Sequence, residues 1–343
     1  MLDIENFSDL RDYLRRTGRI GAHESVRLTN LAGGVSNRTV LLERSSGEAW
    51  VLKQALSQLR VRVEWLSDPR RIEREAAGMK RLLDIAGANR ITPPIFLEPA
   101  EHLLAMAAVP QPHTNWKTML LRGEVKPAHV EQFARLLGTI HRQGVDDAAT
   151  GFDDRSFFES LRLEPYYSYS AQRMPAVAGF IHDLVAETRA TRYTLVHGDY
   201  SPKNVLVHEG NLILLDHEVI HFGDGAFDVG FALTHLLSKA NALPKYRDQF
   251  ADAAKQFWEI YSHSAGPKLA DAAMQARSCR HTMGCMLARC IGRSPLEYLK
   301  PPEAAVQANA ASALMDHPPT EIAKLVDEFI RRFAADRDRG FKL

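Results

Sequence analysis

The stretch NVLVHEGNLILLD, residues 204–216, lies in a half of the chain that otherwise patterns as helix, and it constrains the fold more than any other segment. Its two β-type runs, NVLVH and NLILLD, flank Glu209-Gly210, a dipeptide suited to a hairpin turn. Asn204 and Asp216 each stand six residues from Gly210. A hairpin centred there brings the two side chains to its open end, with Asp199 in the loop just before. Two acids and an amide oxygen are hard ligands, which suit Mg²⁺ better than zinc.

The first hundred residues read differently. IENFSDLRDYLRRTG forms an amphipathic helix with Leu10, Tyr13 and Leu14 on one side and Gly18 as its stop, and it looks like a docking element. VRLTNL, RTVLLER and AWVLKQ then read as a three-strand meander broken by AGGVSN and SSG. The charged segment DPRRIEREAAGMKRLLDIAG favours helix, with Pro69 near its start and Gly87 at its end. Past a strand-like HLLAMAAV the pattern is mainly helical, as in AHVEQFARLLGTIHRQG with Val130, Phe133, Leu136, Leu137 and Ile140 at helical spacing. The expected architecture is an α+β fold of two lobes, a β-rich nucleotide-binding lobe over 1–108 and a helical lobe over 109–343 carrying the catalytic loop and acceptor site.

D-x-x-x-x-N followed by an Asp twelve residues on is also the catalytic-loop and metal-site layout of kinases: a base for the substrate hydroxyl, then two groups for magnesium on the nucleotide. Such an enzyme further needs a glycine-rich turn, a strand lysine and a helix glutamate. All occur in order. AGGVSN supplies Gly33, Gly34, Ser36 and Asn37, whose free N–H groups can meet phosphates. Lys53 sits on the next strand and Glu75 on the following helix.

LVHGDYSPKNVLV, LILLDHE and FDVGFAL resemble the signature of the aminoglycoside phosphotransferase and choline kinase family, small-molecule kinases with a protein-kinase-like fold. VLKQAL, VRVEW, RIEREA, DHEVIHFGDGAFDVGF and CMLARCIG look closest to methylthioribose kinases within it. The resemblance implies that Asp199 is the catalytic carboxylate, Asn204 and Asp216 are magnesium ligands, Lys53 holds the α/β-phosphates of ATP, and Glu75 orients Lys53. It further implies that Glu218 and Arg289 belong to the substrate site, that His197 organises the catalytic loop, and that Asp228 braces it; an N-cap role for Asp228 is an equal alternative from position alone. Asn204 and Ala288-Arg289 depart from methylthioribose kinases, which often lack that asparagine and carry Arg-Arg at the latter pair.

The segment DHEVIHFGD also contains His217, Glu218 and His221 in the His-Glu-x-x-His spacing of zinc proteases. That motif needs a helix. Here it follows a strand-like run, holds Val219 and Ile220, and enters Gly223 and Gly225; in extended backbone, residues four apart are separated by about 13 Å, too far for one ion. A protein kinase is disfavoured because no D-F-G to A-P-E activation segment is present. A nucleotide-binding pseudokinase should have lost Lys53, Asp199, Asn204 or Asp216, and all four are retained.

The charge balance of +1 offers no field for nucleic acid or an anionic membrane. Three cysteines, Cys279, Cys285 and Cys290, with no CxxC pair fit a reduced, cytoplasmic setting with buried thiols. The expected partner is a small hydroxylated acceptor, and a homodimer is compatible with it. Residues 261–300 hold Lys268, Arg277, Arg280, Arg289, Arg293 and Lys300 against Asp271 and Glu297. This favours a neutral or anionic, sugar-like acceptor over the alternatives of an aminoglycoside or choline-type amino alcohol.

Overall fold

Strands Val26–Asn30 (β1), Asn37–Arg44 (β2) and Ala49–Ala55 (β3) form the expected meander, which is extended by Pro94–Glu98 (β4) and Leu103–Ala107 (β5) into a five-stranded antiparallel sheet of order β1-β2-β3-β5-β4. β3 is therefore central. The structure, a computed structural model, describes residues 2–31, 34–60, 65–145 and 151–338. Gly33 lies outside the described residues.

The period-two side-chain alternation of a strand decides what each sheet face meets. Helix α1 (Phe7–Arg16), capped by Asn6, packs Leu10, Tyr13 and Leu14 with Val40, Leu42, Trp50 and Leu52 on one face. On the other face Val51, Ala55, Leu104 and Met106 pack with Ile72, Ala76 and Met79 of α2 (Arg71–Ala86). Lys53 shares the parity of Val51 and Ala55, so it points to α2. The N-terminal helix docks on its own sheet.

The chain divides into two units, Met1–Gln111 with Ile213–Val219, and Pro112–Leu212 with Ile220–Leu343. The short return segment joins the first unit through a parallel bridge between Ile91 and Leu214, with Leu214 N–H donating to the Arg90 carbonyl at 2.8 Å.

The second unit is mainly helical. Its helices include α3 (Trp116–Leu121), α4 (Pro127–Gln143), α5 (Ala178–Ala190), α6 (Ala226–Ala242), α7 (Arg247–Ala265), α8 (Ala272–Ile291), α9 (Pro301–Met315) and α10 (Ile322–Asp338). The short strand β6 (His113–Asn115) pairs with β8 (Val205–His208), while β7 (Thr194–Val196) pairs with β10 (His221–Gly223). Between β8 and β9 (Asn211–Leu214), Glu209 and Gly210 have φ of 49° and 77°, the left-handed pair that a tight hairpin turn demands. Glu159–Ser168 winds as a π-helix with Pro165 inside it. Among the described residues no helix is long and apolar enough to cross a membrane.

Candidate active site

In the first unit, the Lys53 ammonium lies 2.6 Å from Glu75 Oε1 and 2.9 Å from Asp216 Oδ1. Burial works against its charge, but Asp216, Glu75 and Glu218 outweigh burial and hold Lys53 above the ordinary lysine value. Asp216 lies two residues past the end of β9 and has φ 67°. A left-handed aspartate is uncommon, and such strain concentrates at functional positions. Glu75, Asp216 and Glu218 bring ligand atoms within 4.8 Å of one another. Set against Lys53 and Arg71, the three carboxylates leave one negative charge over when all are ionised, and Glu75 Oε2 is buried without a partner. The set fits a divalent cation.

Arg71, one turn before Glu75, is fully buried. Its Nε donates to Glu218 Oε2 at 3.1 Å, and its other guanidinium nitrogens donate to the carbonyls of Ser67, Asp68 and Ser36. Asn37 Nδ2 also donates to Glu218 Oε2, at 3.3 Å, and to Ser36 Oγ at 3.1 Å. Glu218 is thus tied to the turn that contains Ser36 and Asn37. A Cβ at Gly34 would meet nothing tighter than the Asn37 carbonyl oxygen at 3.5 Å, so packing within the unit does not itself demand glycine there.

Burial, with Asp216 and Glu218 adding to it against the opposing Lys53, pushes the Glu75 carboxyl up to about 7. A group that binds its proton more tightly when folded gives stability at acid pH and loses it as pH rises through the folded value. Relative to Glu75→Gln, the nucleotide-free protein is therefore expected to lose stability between pH 4.5 and about 7. Urea midpoints measured across that range check this; a flat difference contradicts it.

In the second unit, the loop after β7 carries Asp199. Its Oδ2 accepts from Asn204 Nδ2 at 2.7 Å and lies 3.0 Å from a guanidinium nitrogen of Arg162. Asn204 Nδ2 also donates to the Asp199 carbonyl, which leaves its Oδ1 as the atom able to meet a cation. Arg162 Nε donates to the Gly198 carbonyl at 2.8 Å, and another guanidinium nitrogen donates to Leu161 O at 2.8 Å.

Asp228 fastens this loop from below. Its carboxylate accepts the N–H groups of His197 at 2.6 Å and Gly198 at 2.8 Å, and His141 Nε2 lies 3.3 Å away. His141 Nδ1 is in turn 2.8 Å from the Tyr261 hydroxyl. Burial alone would raise the Asp228 carboxyl, yet His141, His197 and the loop N–H groups hold it below the usual carboxylate range. Helix α6 begins at Ala226 with Gly225 as its cap, so Asp228 lies inside the first turn and the N-cap alternative is set aside. His197 Nδ1 accepts the Asp199 N–H at 3.2 Å.

Arg289, on α8, is buried, and donates to the Tyr166 hydroxyl at 3.1 Å and to Ser294 Oγ at 2.9 Å. Arg277, Arg280 and Arg293 pair instead with Asp224, Glu187 and Glu164. Residues 215–220 are not helical, as expected against the zinc motif. Cys279 and Cys285 are buried and Cys290 half-buried, and burial pushes each thiol up to about 12.

Arg71 and Arg162 were not singled out by sequence. A buried arginine and a solvated one look alike in a helical run, and Arg162 stands in LRLEPYY with Pro165 as the one local signal of irregular winding.

A β-rich unit with a charged strand lysine between acids, and a mainly helical unit with a braced Asp-Asn loop, define a protein-kinase-like phosphotransferase. The family described as "Phosphotransferase enzyme family" matches residues 27–267, and the chain belongs to it. Methylthioribose kinases from two strains of Klebsiella pneumoniae are 32% identical over 117 residues, a match spanning 30% of this chain and 28% of those proteins. The solved amicoumacin kinase hAmiN, in complex with AMP-PNP, Ca²⁺ and Ami, is similar with a TM-score of 0.55 and 16% identity over 86% of this chain and 89% of that one. The macrolide 2'-phosphotransferase MphH from Brachybacterium faecium has a TM-score of 0.51 and 18% identity over 90% of this chain and 98% of its own. These two likenesses show the fold.

Proposed function

We propose that the protein transfers the γ-phosphoryl group of ATP to a hydroxyl of a small neutral or anionic, sugar-like metabolite. The observation that carries this reading is the Lys53 ammonium, held charged on the central strand between Glu75 and Asp216. A lysine so placed grips phosphate oxygens while the acids orient it.

In the first unit, Lys53 binds the α/β-phosphates, Glu75 orients it, and Asp216 is a ligand for magnesium. The turn with Gly34, Ser36 and Asn37 offers N–H groups to phosphate, and Glu218, through Arg71 and Asn37, positions that turn. In the second unit, Asp199 orients the hydroxyl and accepts its proton, and Asn204 Oδ1 is a hard oxygen donor for magnesium. Magnesium, when bound, neutralises phosphate charge. Arg162 keeps the Asp199 carboxylate in place, and His197 and Asp228 hold its loop, so that most of the rate enhancement comes from positioning.

The relatives' names, among them methylthioribose kinase, support a small-molecule acceptor. The test is ADP release with Mg-ATP over sugars, thiosugars, sugar acids, amino alcohols and aminoglycosides. Turnover with a sugar-like compound is expected. Efficient use of choline or kanamycin in its place would overturn the acceptor class and leave phosphoryl transfer standing.

A further inference from the structure

Part of the second unit buries more positive charge than it balances. His235 and Lys239 stand four residues apart on α6. Lys239 is 0% exposed; its ammonium donates to the His235 carbonyl at 2.9 Å and lies 5.2 Å over the Tyr298 ring. His235 is 3% exposed, and neither ring nitrogen has a partner. Arg289 is 8% exposed, its Nε likewise has no partner, and no carboxylate pairs with it among the described residues.

The other charged groups that bear on these side chains are Lys117, Lys203 and Glu297, and Glu297 is bound to Lys117. Burial, with Lys117 and Arg289 adding to it against Glu297, brings the Lys239 ammonium down to about 7. Burial, with Lys239, Arg289, Lys203 and Lys117 adding to it, holds His235 well below the ordinary histidine value. Buried donors normally have acceptors and buried cations normally have counter-charges. Water could fill the hydrogen bonds but would leave the charge.

We propose that Lys239, His235 and Arg289 form a receptor for an oxyanion carried by the phosphoryl acceptor, so that the natural substrate is a hydroxylated acid, bearing a carboxylate or a phosphate ester. Its position supports this. Tyr166 takes the Arg289 guanidinium at 5.5 Å from its ring centre and the Arg162 guanidinium at 5.6 Å, and Arg162 pairs with Asp199. The anion receptor and the partner of the proposed base thus meet the same tyrosine ring. An acid group seated on Arg289 Nε and the Lys239 ammonium would hold a hydroxyl further along the same molecule toward Asp199. The inference rests on the proposed function for its link to catalysis, whereas anion binding stands without it.

The test uses calorimetry on the full chain with gluconate, glycerol 3-phosphate, glucose and glycerol, followed by ADP release with the same four compounds. Gluconate or glycerol 3-phosphate should bind at least tenfold more tightly than its neutral counterpart, and which of the two does so tells carboxylate from phosphate. In Lys239→Met that preference should vanish while Mg-ATP affinity stays unchanged. Lys239→Met should also unfold at an equal or higher urea concentration than the parent, which a lysine kept for structure would not allow; His235→Phe gives a second variant should the first fail to fold. Equal binding of anionic and neutral compounds by the parent, or a preference that survives both substitutions, overturns the receptor and leaves the proposed function standing. A preference lost in Lys239→Met but accompanied by ADP release on neutral compounds alone overturns the pocket's place in the acceptor site.

Discussion

Asp199→Asn is expected to lower kcat by about 10²–10⁴-fold, the usual contribution of a positioned base, with nucleotide affinity within about twofold of the parent. Asn204 and Arg162 both hold Oδ2, which leaves Oδ1 to face a hydroxyl. An asparagine keeps the shape and these neighbours but cannot accept a proton. Single-turnover kinetics with an identified acceptor, together with a nucleotide titration, separate the two quantities. Near-normal turnover would remove Asp199 from the role of base.

Asp228→Ala should cost about 3–5 kcal/mol of folding stability, because it strands buried partners. The N–H groups of His197 and Gly198 and the ring of His141 would all lose their acceptor. The urea midpoint should fall with an unchanged m-value. For the parent, a carboxyl held below its unfolded value gives stability that is present above that value, 3.8, and is lost as pH falls through the folded one. The penalty of Asp228→Ala should therefore be full at neutral pH and shrink on strong acidification. A midpoint within error of the parent at pH 7 would show that Asp228 does not brace the loop.

What the sequence disclosed follows from how each group reaches its place. The Lys53–Glu75 pair was legible because strand parity and helix order leave few ways for a lysine after a meander to meet the next helix. The hairpin was legible from Glu209-Gly210, whose turn chemistry is local. Arg71 and Arg162 were not legible, since each gains its role from backbone carbonyls and an acid far along the chain, at separations of 147 residues for Arg71 to Glu218 and 36 for Arg162 to Gly198. The cationic residues of 261–300 drew attention to this stretch, but their pattern could not tell Arg289 from arginines already paired with Asp224 or Glu187. His235 and Lys239 lie in an apolar run where nothing marks a histidine or a lysine as buried without a mate.

The winding of Glu159–Ser168 has a consequence beyond its own hydrogen bonds. Arg162, inside this segment, donates to Leu161 O and to the Gly198 carbonyl, and the same guanidinium steadies Asp199. Tyr166, four residues along, lies under Arg289. Under the proposed function this ten-residue segment, Glu159–Ser168, would be a caliper with one jaw toward the base and one toward the far end of the guest. Adding or removing a residue in it would re-gauge which molecules fit between the jaws, while every group with a chemical role kept its identity.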